Sequence, residues 1–254
     1  MTLNRPVVLS ASGLARVVRD ESIGRLPLVL EPAARWRPDA EERAAGAAAR
    51  AEIARVGGVD RRGRLDADLA ATFTVLCRPA VEFYGWYRAG DREVAALVAA
   101  IGRDAVLAVR DRDTVTLAQV DPDRLPDVLA AQTPDTPPAR GQAVTVVADE
   151  MRAAAAGQRH TAAGVGIRQV GADIRLAQRI TALPVTGGGQ LYVAVRDGGG
   201  RRSAVRQPLR VADTVQGRWL NYTPPNDGSR VVFAPGDRPA VVGRLREMWR
   251  ALTR

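Results

Sequence analysis

In the N-terminal third of the chain, apolar residues recur at steps of three and four, which is the spacing of one helical face. The clearest run is Leu65, Leu69, Phe73 and Leu76. Pro79 ends this helix because a proline disfavours the helical conformation in the residue before it. Upstream, the alanine-rich segment 39–56 predicts another helix, and Ser10 or Ser12 can cap a first helix that follows the apolar start of the chain.

In the segment VEFYGWY, residues 81–87, the period changes to two, which is the spacing of a strand. This segment holds four of the eleven aromatic residues of the chain. Phe83 and Tyr87 fall on one face and Tyr84 and Trp86 on the other, so the pattern predicts a strand that is covered on both faces. Three more strands are predicted at 93–100, 105–110 and 114–120. The alanine content of the first of these also fits a helix.

A similar succession of elements recurs in the C-terminal part. The pattern predicts a strand at 143–147, helices at 149–156 and 164–183, strands at 190–196, 203–207, 217–222 and 230–234, and a last helix from Asp237. The ends of the two series also agree at five positions, from Val115–Leu129 to Val231–Leu245, at a constant offset of 116. We therefore expect an α+β fold of two similar halves, related by a pseudo-twofold duplication, each a mainly antiparallel sheet with flanking helices. A single mixed α+β domain without symmetry is the alternative.

The boundary between the halves is expected in the segment TPDTPPARG, which contains three prolines and one glycine. It predicts an N-terminal half at 1–132, a linker at 133–142 and a C-terminal half at 143–254. With 254 residues and 46% apolar content, the two halves can share one core and pack as one compact unit.

The chain carries a net charge of +9, and all 37 of its basic residues are arginine. Arginine binds phosphate in a bidentate manner, so a basic chain suggests a nucleic-acid partner. However, the arginines are scattered, and many of them adjoin an acid, as in segment 110–113. Scattered arginine without lysine indicates a GC-rich genome rather than a phosphate-binding surface, so nucleic acid is not the partner that we expect.

The sequence also contains no segment that reads as a membrane span. The longest uncharged stretch, residues 180–195, is interrupted by Pro184 and by three consecutive glycines. The N-terminus lacks the basic, apolar and small-residue pattern of a signal peptide. These features predict a cytoplasmic protein without membrane insertion.

The candidate chemistry is sparse. The only histidine, His160, lies in the polar segment GQRHTAAG, and the sequence has no G-x-S-x-G motif. One histidine and one cysteine, Cys77, are too few for the common metal sites, and Cys77 lies in an apolar run that predicts a buried thiol. A Walker motif needs lysine, and Gly164 and Gly166 lack the third glycine of a dinucleotide-binding loop. The sequence therefore predicts no catalytic residue, no metal, no cofactor and no enzymatic activity.

Four short motifs occur in a fixed order along the chain. They are a turn before a helix at Gly58–Gly63, a P-x-x-E-x-Y strand at Pro79–Tyr84, a hairpin at Ala99–Arg110 and a Gly-Arg-aromatic strand at Gly217–Trp219. In this order, and over most of the chain, the sequence resembles the EspG family of type VII (ESX) secretion-associated proteins of actinobacteria. The resemblance implies two similar α/β halves about a pseudo-twofold axis, with a central antiparallel sheet.

The resemblance also implies a cytosolic chaperone. Members of the family bind secreted PE–PPE heterodimers, cover an aggregation-prone helical tip of the PPE subunit and keep the pair soluble for export. The hairpin after Tyr87 is short here, whereas some members carry a long loop in this region that helps to grip the client. A structural or nucleic-acid-binding basic protein without enzymatic activity is the alternative.

Strand position then suggests which residues contact a client. The expected client-binding residues are Tyr84, Trp86, Arg88, Arg92, Arg202, Arg218 and Trp219. We expect the aromatic residues to supply part of an apolar patch on the sheet. The arginines are expected to line its rim, where they set specificity more than affinity.

Overall fold

The computed structural model describes residues 3, 5–34, 36, 38–155, 171–225 and 227–254. Within these residues the strands are β1 (Val7–Ser10), β2 (Val81–Ala89), β3 (Arg92–Ile101), β4 (Asp104–Asp111), β5 (Thr114–Gln119), β6 (Val144–Val147), β7 (Val185–Arg196), β8 (Arg202–Ala204), β9 (Leu209–Thr214), β10 (Gly217–Tyr222) and β11 (Arg230–Pro235). The α-helices are α1 (Ala11–Asp20), α2 (Asp39–Arg55), α3 (Ala67–Cys77), α4 (Leu125–Ala130), α5 (Ala148–Ala155), α6 (Ala172–Thr181) and α7 (Arg238–Leu252). A short 3₁₀ turn, Pro122–Arg124, leads into α4.

Side-chain caps fix where three of the helices begin. The Ser10 hydroxyl accepts a hydrogen bond from the Gly13 N–H at 3.0 Å, which identifies the cap of α1. The Asp66 and Asp237 carboxylates cap α3 and α7 in the same way, each at 2.9 Å from a backbone N–H of the first turn. Leu65, which we expected on the face of α3, precedes that helix.

The strands form one antiparallel sheet in the order β1-β5-β4-β3-β2-β7-β9-β10-β11-β6, with β8 also beside β7. β2 and β7 pair at its centre, and strands from the two parts of the chain lie on opposite sides of this junction. In each part the first strand lies at the outer edge and the later strands run from the centre outward. The expected α+β class with a mainly antiparallel sheet is confirmed. The superposition of the halves, and with it the duplication, stays a prediction.

Helices cover both faces of the sheet. The first face, which carries Tyr84 and Trp86, packs against α1 and α3 in the N-terminal half and against α6 near β6. The second face, which carries Phe83 and Tyr87, packs against α4 and α7. Phe83 meets Trp249 of α7 edge to face, with ring centroids 5.6 Å apart. β2 is therefore covered on its second face, whereas on its first face Tyr84 and Trp86 are only half-buried.

The predicted strand at 93–100 is confirmed as β3 and its helical alternative is wrong, because β3 sits between β2 and β4 with its small alanines buried on both faces. Other predicted elements are corrected by the structure. β7 begins at Val185, earlier than predicted, and includes the glycines 187–189. β9 was not predicted, since one of its inward positions is Asp213, which a hydropathy pattern assigns to the surface. Most of the first half of the predicted helix 164–183 lies outside the described residues.

The predicted linker, residues 133–142, docks on the sheet. Pro138 forms a parallel bridge with Arg218 of β10, and the Ala139 N–H donates to the Arg218 carbonyl oxygen at 2.9 Å. Ala139 is itself buried. The division into halves at 1–132 and 143–254 stays a proposal about organisation, in which the connecting segment packs against the C-terminal half.

Candidate binding groove

An open groove of about 390 Å³ lies on the first face of the sheet, between α6 and strands β7, β9 and β10. Gly188 and Ala212, which are direct cross-strand partners, lie at its floor. Ile180 of α6, Trp219 and Phe233 supply apolar walls. The groove is thus a shallow apolar surface between a helix and the sheet.

The groove exists because the helices cover the two halves of the first face differently. In the N-terminal half, α3 lies over β3 and β4 and inserts Phe73 and Leu76, which are fully buried. In the C-terminal half, α6 packs against the edge strand β6 through Ala177 and Ile180. Among the described residues, no helix covers Arg210 and Ala212 on the first face of β9, where α3 covers the other half.

An aromatic cluster adjoins the groove along the centre of the sheet. Tyr84 stacks on Tyr192, with centroids 5.3 Å apart and planes 10° apart, and Trp86 meets Tyr192 edge to face at 6.1 Å. All three rings are half-buried. Arg202 lies 5.6 Å from the Tyr84 centroid and pairs with the buried carboxylate of Glu82 at 2.5 Å. The cluster extends the apolar surface of the groove toward the N-terminal half.

A buried polar network lies on the second face, beneath the floor of the groove. Arg218 binds Asp213 in a bidentate manner at 2.6 and 2.8 Å and donates to the Pro134 carbonyl oxygen at 2.9 Å. The Tyr87 hydroxyl donates to Asp213 at 2.5 Å, and the Thr136 hydroxyl donates at 2.9 Å. The network joins β2, β9, β10 and the connecting segment. It therefore holds the strands of the groove floor together on the face of the sheet opposite the groove.

Burial and hydrogen bonding shift the ionisation of this network. Burial raises the pKa of the Asp213 carboxyl, but the hydrogen bonds from Arg218 and Tyr87 lower it by more than burial raises it. The net pKa therefore lies below its ordinary value. Burial, together with the hydrogen bond to Asp213, raises the pKa of the Tyr87 hydroxyl far above its ordinary value. Asp213 is therefore a carboxylate and Tyr87 a neutral phenol at neutral pH.

Comparison with known proteins identifies the family. The model of the EspG family matches residues 10–247 of the chain. The chain belongs to the EspG family. The type VII secretion system chaperone EspG5 of Mycobacterium tuberculosis, solved in complex with a PE25–PPE41 dimer, has the same fold, with a TM-score of 0.72 and 18% sequence identity. The match covers 98% of this chain and 97% of that chain. A comparison with curated proteins found no match.

Four of the seven expected client-binding residues of this EspG-family protein lie on the first face, but only three of them are accessible, because Trp219 is buried with 5% exposure. Tyr84, Trp86 and Arg202 belong to the aromatic cluster, and Trp219 lines the groove. Tyr192, which stacks on Tyr84, was not among the expected residues. Its position in the predicted strand 190–196 was available from the sequence, but its pairing with β2 was not, because no local pattern shows which distant strands pair.

Arg88 and Arg92 lie apart from the groove residues, at the turn between β2 and β3. Both are exposed, and each forms an ion pair within the protein: Arg88 with Glu93 at 2.5 Å and Arg92 with Asp111 at 2.9 Å. They are accessible to a partner, although part of their charge is already neutralised. Their contact with a client stays a prediction.

The expectation that Arg218 lines an exposed rim is wrong. Arg218 is fully buried, with its guanidinium in the network around Asp213. The reason is the alternation of side chains along a strand. Because Trp219 faces the groove, its neighbour Arg218 must face the opposite side of the sheet. The side chain therefore has a structural role in the network.

The residues considered as candidates for catalysis or metal binding, Cys77 and His160, are not among the described residues that line the groove. Cys77 is buried, and burial raises the pKa of its thiol to about 11, so the thiol stays protonated at neutral pH. His160 lies outside the described residues. Among the residues that the structure describes, no group of three or more His, Cys, Asp or Glu side chains could hold a metal ion. None of the described helices is long and apolar enough to cross a membrane.

Proposed function

We propose that this EspG-family protein is a type VII secretion chaperone that binds a PE–PPE-like helical heterodimer in the cytoplasm before export. The client contacts the groove and the adjacent aromatic cluster. The protein acts by binding alone, as expected from the sparse candidate chemistry of the sequence. The complex of EspG5 with a PE25–PPE41 dimer supports this choice of partner.

The observation that carries the proposal is the first face of β9, which no helix of the described residues covers at Arg210 and Ala212. On the same face, the N-terminal half is closed by α3, whose Phe73 and Leu76 fill the space above β3 and β4. The groove, of about 390 Å³, has a mainly apolar lining, and we propose that it takes a helical tip from a partner. Burial of apolar surface contributes about 25 cal/mol per Å², so even a small tip gains stability there.

The aromatic cluster enlarges the contact. Tyr84, Trp86 and Tyr192 present half-exposed rings beside the groove. Aromatic side chains often dominate the binding energy of protein interfaces because they bury large apolar areas with little loss of side-chain entropy. The groove receives the tip of the client, and the cluster supports the flank of the same helical pair.

The test fills the groove. Ala212 is half-buried at the groove floor, and Ala212→Trp places an indole there without touching the core beneath. Co-expression with a PE–PPE-like heterodimer from the same genome, followed by size exclusion and isothermal titration, should give a one-to-one complex for the wild type. Ala212→Trp should weaken it at least about tenfold, or about 1.4 kcal/mol.

The matched control is Ala118→Trp, a half-buried alanine on β5 near the opposite edge of the sheet. It should bind the heterodimer as the wild type does, with a similar thermal melt. If no such heterodimer co-elutes with the wild type, the chaperone proposal is wrong. Binding of short nucleic acid with a steep dependence on salt would favour the nucleic-acid alternative instead.

A further inference from the structure

Three polar residues form a straight row across the groove. Gln190 of β7 pairs directly with Arg210 of β9, and Arg210 pairs directly with Asn221 of β10. All three line the groove. Side chains of directly opposed residues lie about 5 Å apart at their Cβ atoms, so the three polar groups act on the same ligand surface. We call these three residues the polar row.

The polar row offers hydrogen-bond donors. Gln190 Oε1 accepts from the Tyr192 hydroxyl at 2.7 Å, which orients the amide and leaves its NH₂ group to donate. Arg210 is exposed, and within the described part of the chain it forms no ion pair or side-chain hydrogen bond. The Asn221 side chain has no hydrogen bond to any described residue either. The row therefore presents one positive charge and two amides.

Arg210 differs in its charge pairing from Arg202 and Arg88, two other arginines on this face. Arg202 is neutralised by Glu82, and Arg88 by Glu93. Arg210 has no such partner among the described residues, although it lies at the centre of the sheet surface. A cation without a carboxylate partner among the described residues, beside an apolar lining, favours a partner that brings its own carboxylate.

A row of apolar residues lies beside the polar row, and the spacing of the two rows lets one helix of a client contact both. Gly188, Ala212 and Trp219 lie opposite one another and form a small apolar row. Successive side chains on one face of a strand are about 6.6 Å apart, so the two rows lie one such step from each other. Residues three or four positions apart on a helix are separated by about 5–6 Å. One helical turn thus spans both rows.

We propose, on the basis of the proposed function, that the polar row determines client specificity by binding an acidic side chain. The client tip places an apolar residue on Gly188 and Ala212. An Asp or Glu three or four positions away on the same helical face then meets Arg210, with Gln190 and Asn221 donating to the same carboxylate. The groove selects tips that combine an apolar residue with a carboxylate at this spacing.

The test compares charge variants in titrations with the purified PE–PPE-like heterodimer. Arg210→Glu should weaken binding by about 100-fold and Arg210→Gln by about tenfold, because the carboxylate loses its cation. The matched control is Arg201→Glu, an exposed arginine between β7 and β8 that does not line the groove. It should change affinity less than about threefold. The wild-type affinity should also fall more steeply with salt than that of Arg210→Gln.

An exchange of charges between the protein and the client provides the decisive test of the specificity proposal. Each Asp and Glu of the client tip is changed to Arg in turn, and one of these clients should bind Arg210→Glu better than it binds the wild type. If Arg210→Glu behaves like Arg201→Glu while Ala212→Trp still weakens binding at least about tenfold, the specificity proposal is wrong and the chaperone proposal stands. If Ala212→Trp also binds as the wild type does, both proposals are wrong.

Discussion

At the scale of single residues, two neighbours in the Gly-Arg-aromatic motif have opposite positions. Trp219 lines the groove, whereas Arg218 lies in the buried network on the other face. The sequence indicated that both matter, because the motif contains both. It could not show that Arg218 is internal, since its partner Asp213 lies on another strand and the pairing depends on the register between β9 and β10.

The buried network predicts how stability depends on pH. The folded-state pKa of Asp213 lies below its ordinary value, so its contribution is present above about pH 4 and lost as the pH falls further. The folded-state pKa of Tyr87 is raised, so its contribution is present below about pH 10 and lost as the pH rises. Urea midpoints should therefore fall toward both ends of the pH range.

Tyr87→Phe tests this prediction with little change in shape. Loss of the Tyr87 hydroxyl leaves the Asp213 carboxylate with one hydrogen bond fewer. The free energy of unfolding at neutral pH should therefore fall by about 1–3 kcal/mol. The decline above pH 10 should become shallower, although Cys77 and Tyr222, whose pKa values burial also raises, will retain part of it. An alkaline decline as steep as that of the wild type would contradict the assignment. Tyr192→Phe, outside the network, is the control.

At the scale of elements, the strands that alternate in hydropathy could be predicted, and those with unusual residues could not. β2, β4 and β5 follow the period of two. The sequence pattern predicts a break at glycines 187–189 before β7, because glycine usually weakens a strand. They lie inside β7, where β2 and β9 approach so closely that a Cβ atom at Gly189 would lie 2.2 Å from the Trp86 carbonyl oxygen.

This close approach predicts a strong effect of a single methyl group. Gly189→Ala must push β7 away from β2, and overpacking of this kind costs about 1–3 kcal/mol. Because β2 and β7 form the central junction, the thermal melting temperature should drop by several degrees, at about 2–4 °C per kcal/mol. The control is Gly198→Ala in the turn after β7, where an added Cβ meets nothing within 4 Å. Equal melting temperatures for the two variants would contradict the prediction.

At the scale of the whole molecule, the resemblance gave the family and the element order gave the fold class. The groove could not be predicted in the same way. It depends on a difference between the halves, since α3 covers the sheet and α6 packs at its edge. Both segments have the apolar pattern of a helix that packs on a core, and that pattern does not say which part of the sheet each helix covers. The surface that we propose for client binding is therefore visible only in the three-dimensional structure.

The central junction leads to the last prediction, which concerns the two halves. β2 and β7 pair along their length, from Val81–Val195 to Ala89–Gly187, and Tyr87 reaches across to Asp213. Each half alone would expose one of these long strands as an open edge, which promotes aggregation. We therefore expect the halves to fold only together.

Fragments 1–132 and 143–254, expressed separately, should be insoluble, and their co-expression should restore a soluble complex. The intact chain should unfold in one step, with tryptophan fluorescence and far-UV circular dichroism giving the same urea midpoint. Trp86 reports on the N-terminal half, and Trp219 and Trp249 report on the C-terminal half. A fragment that is folded and monomeric alone, or two separate midpoints, would show that the halves are independent domains and that the β2–β7 junction is not what makes them one unit.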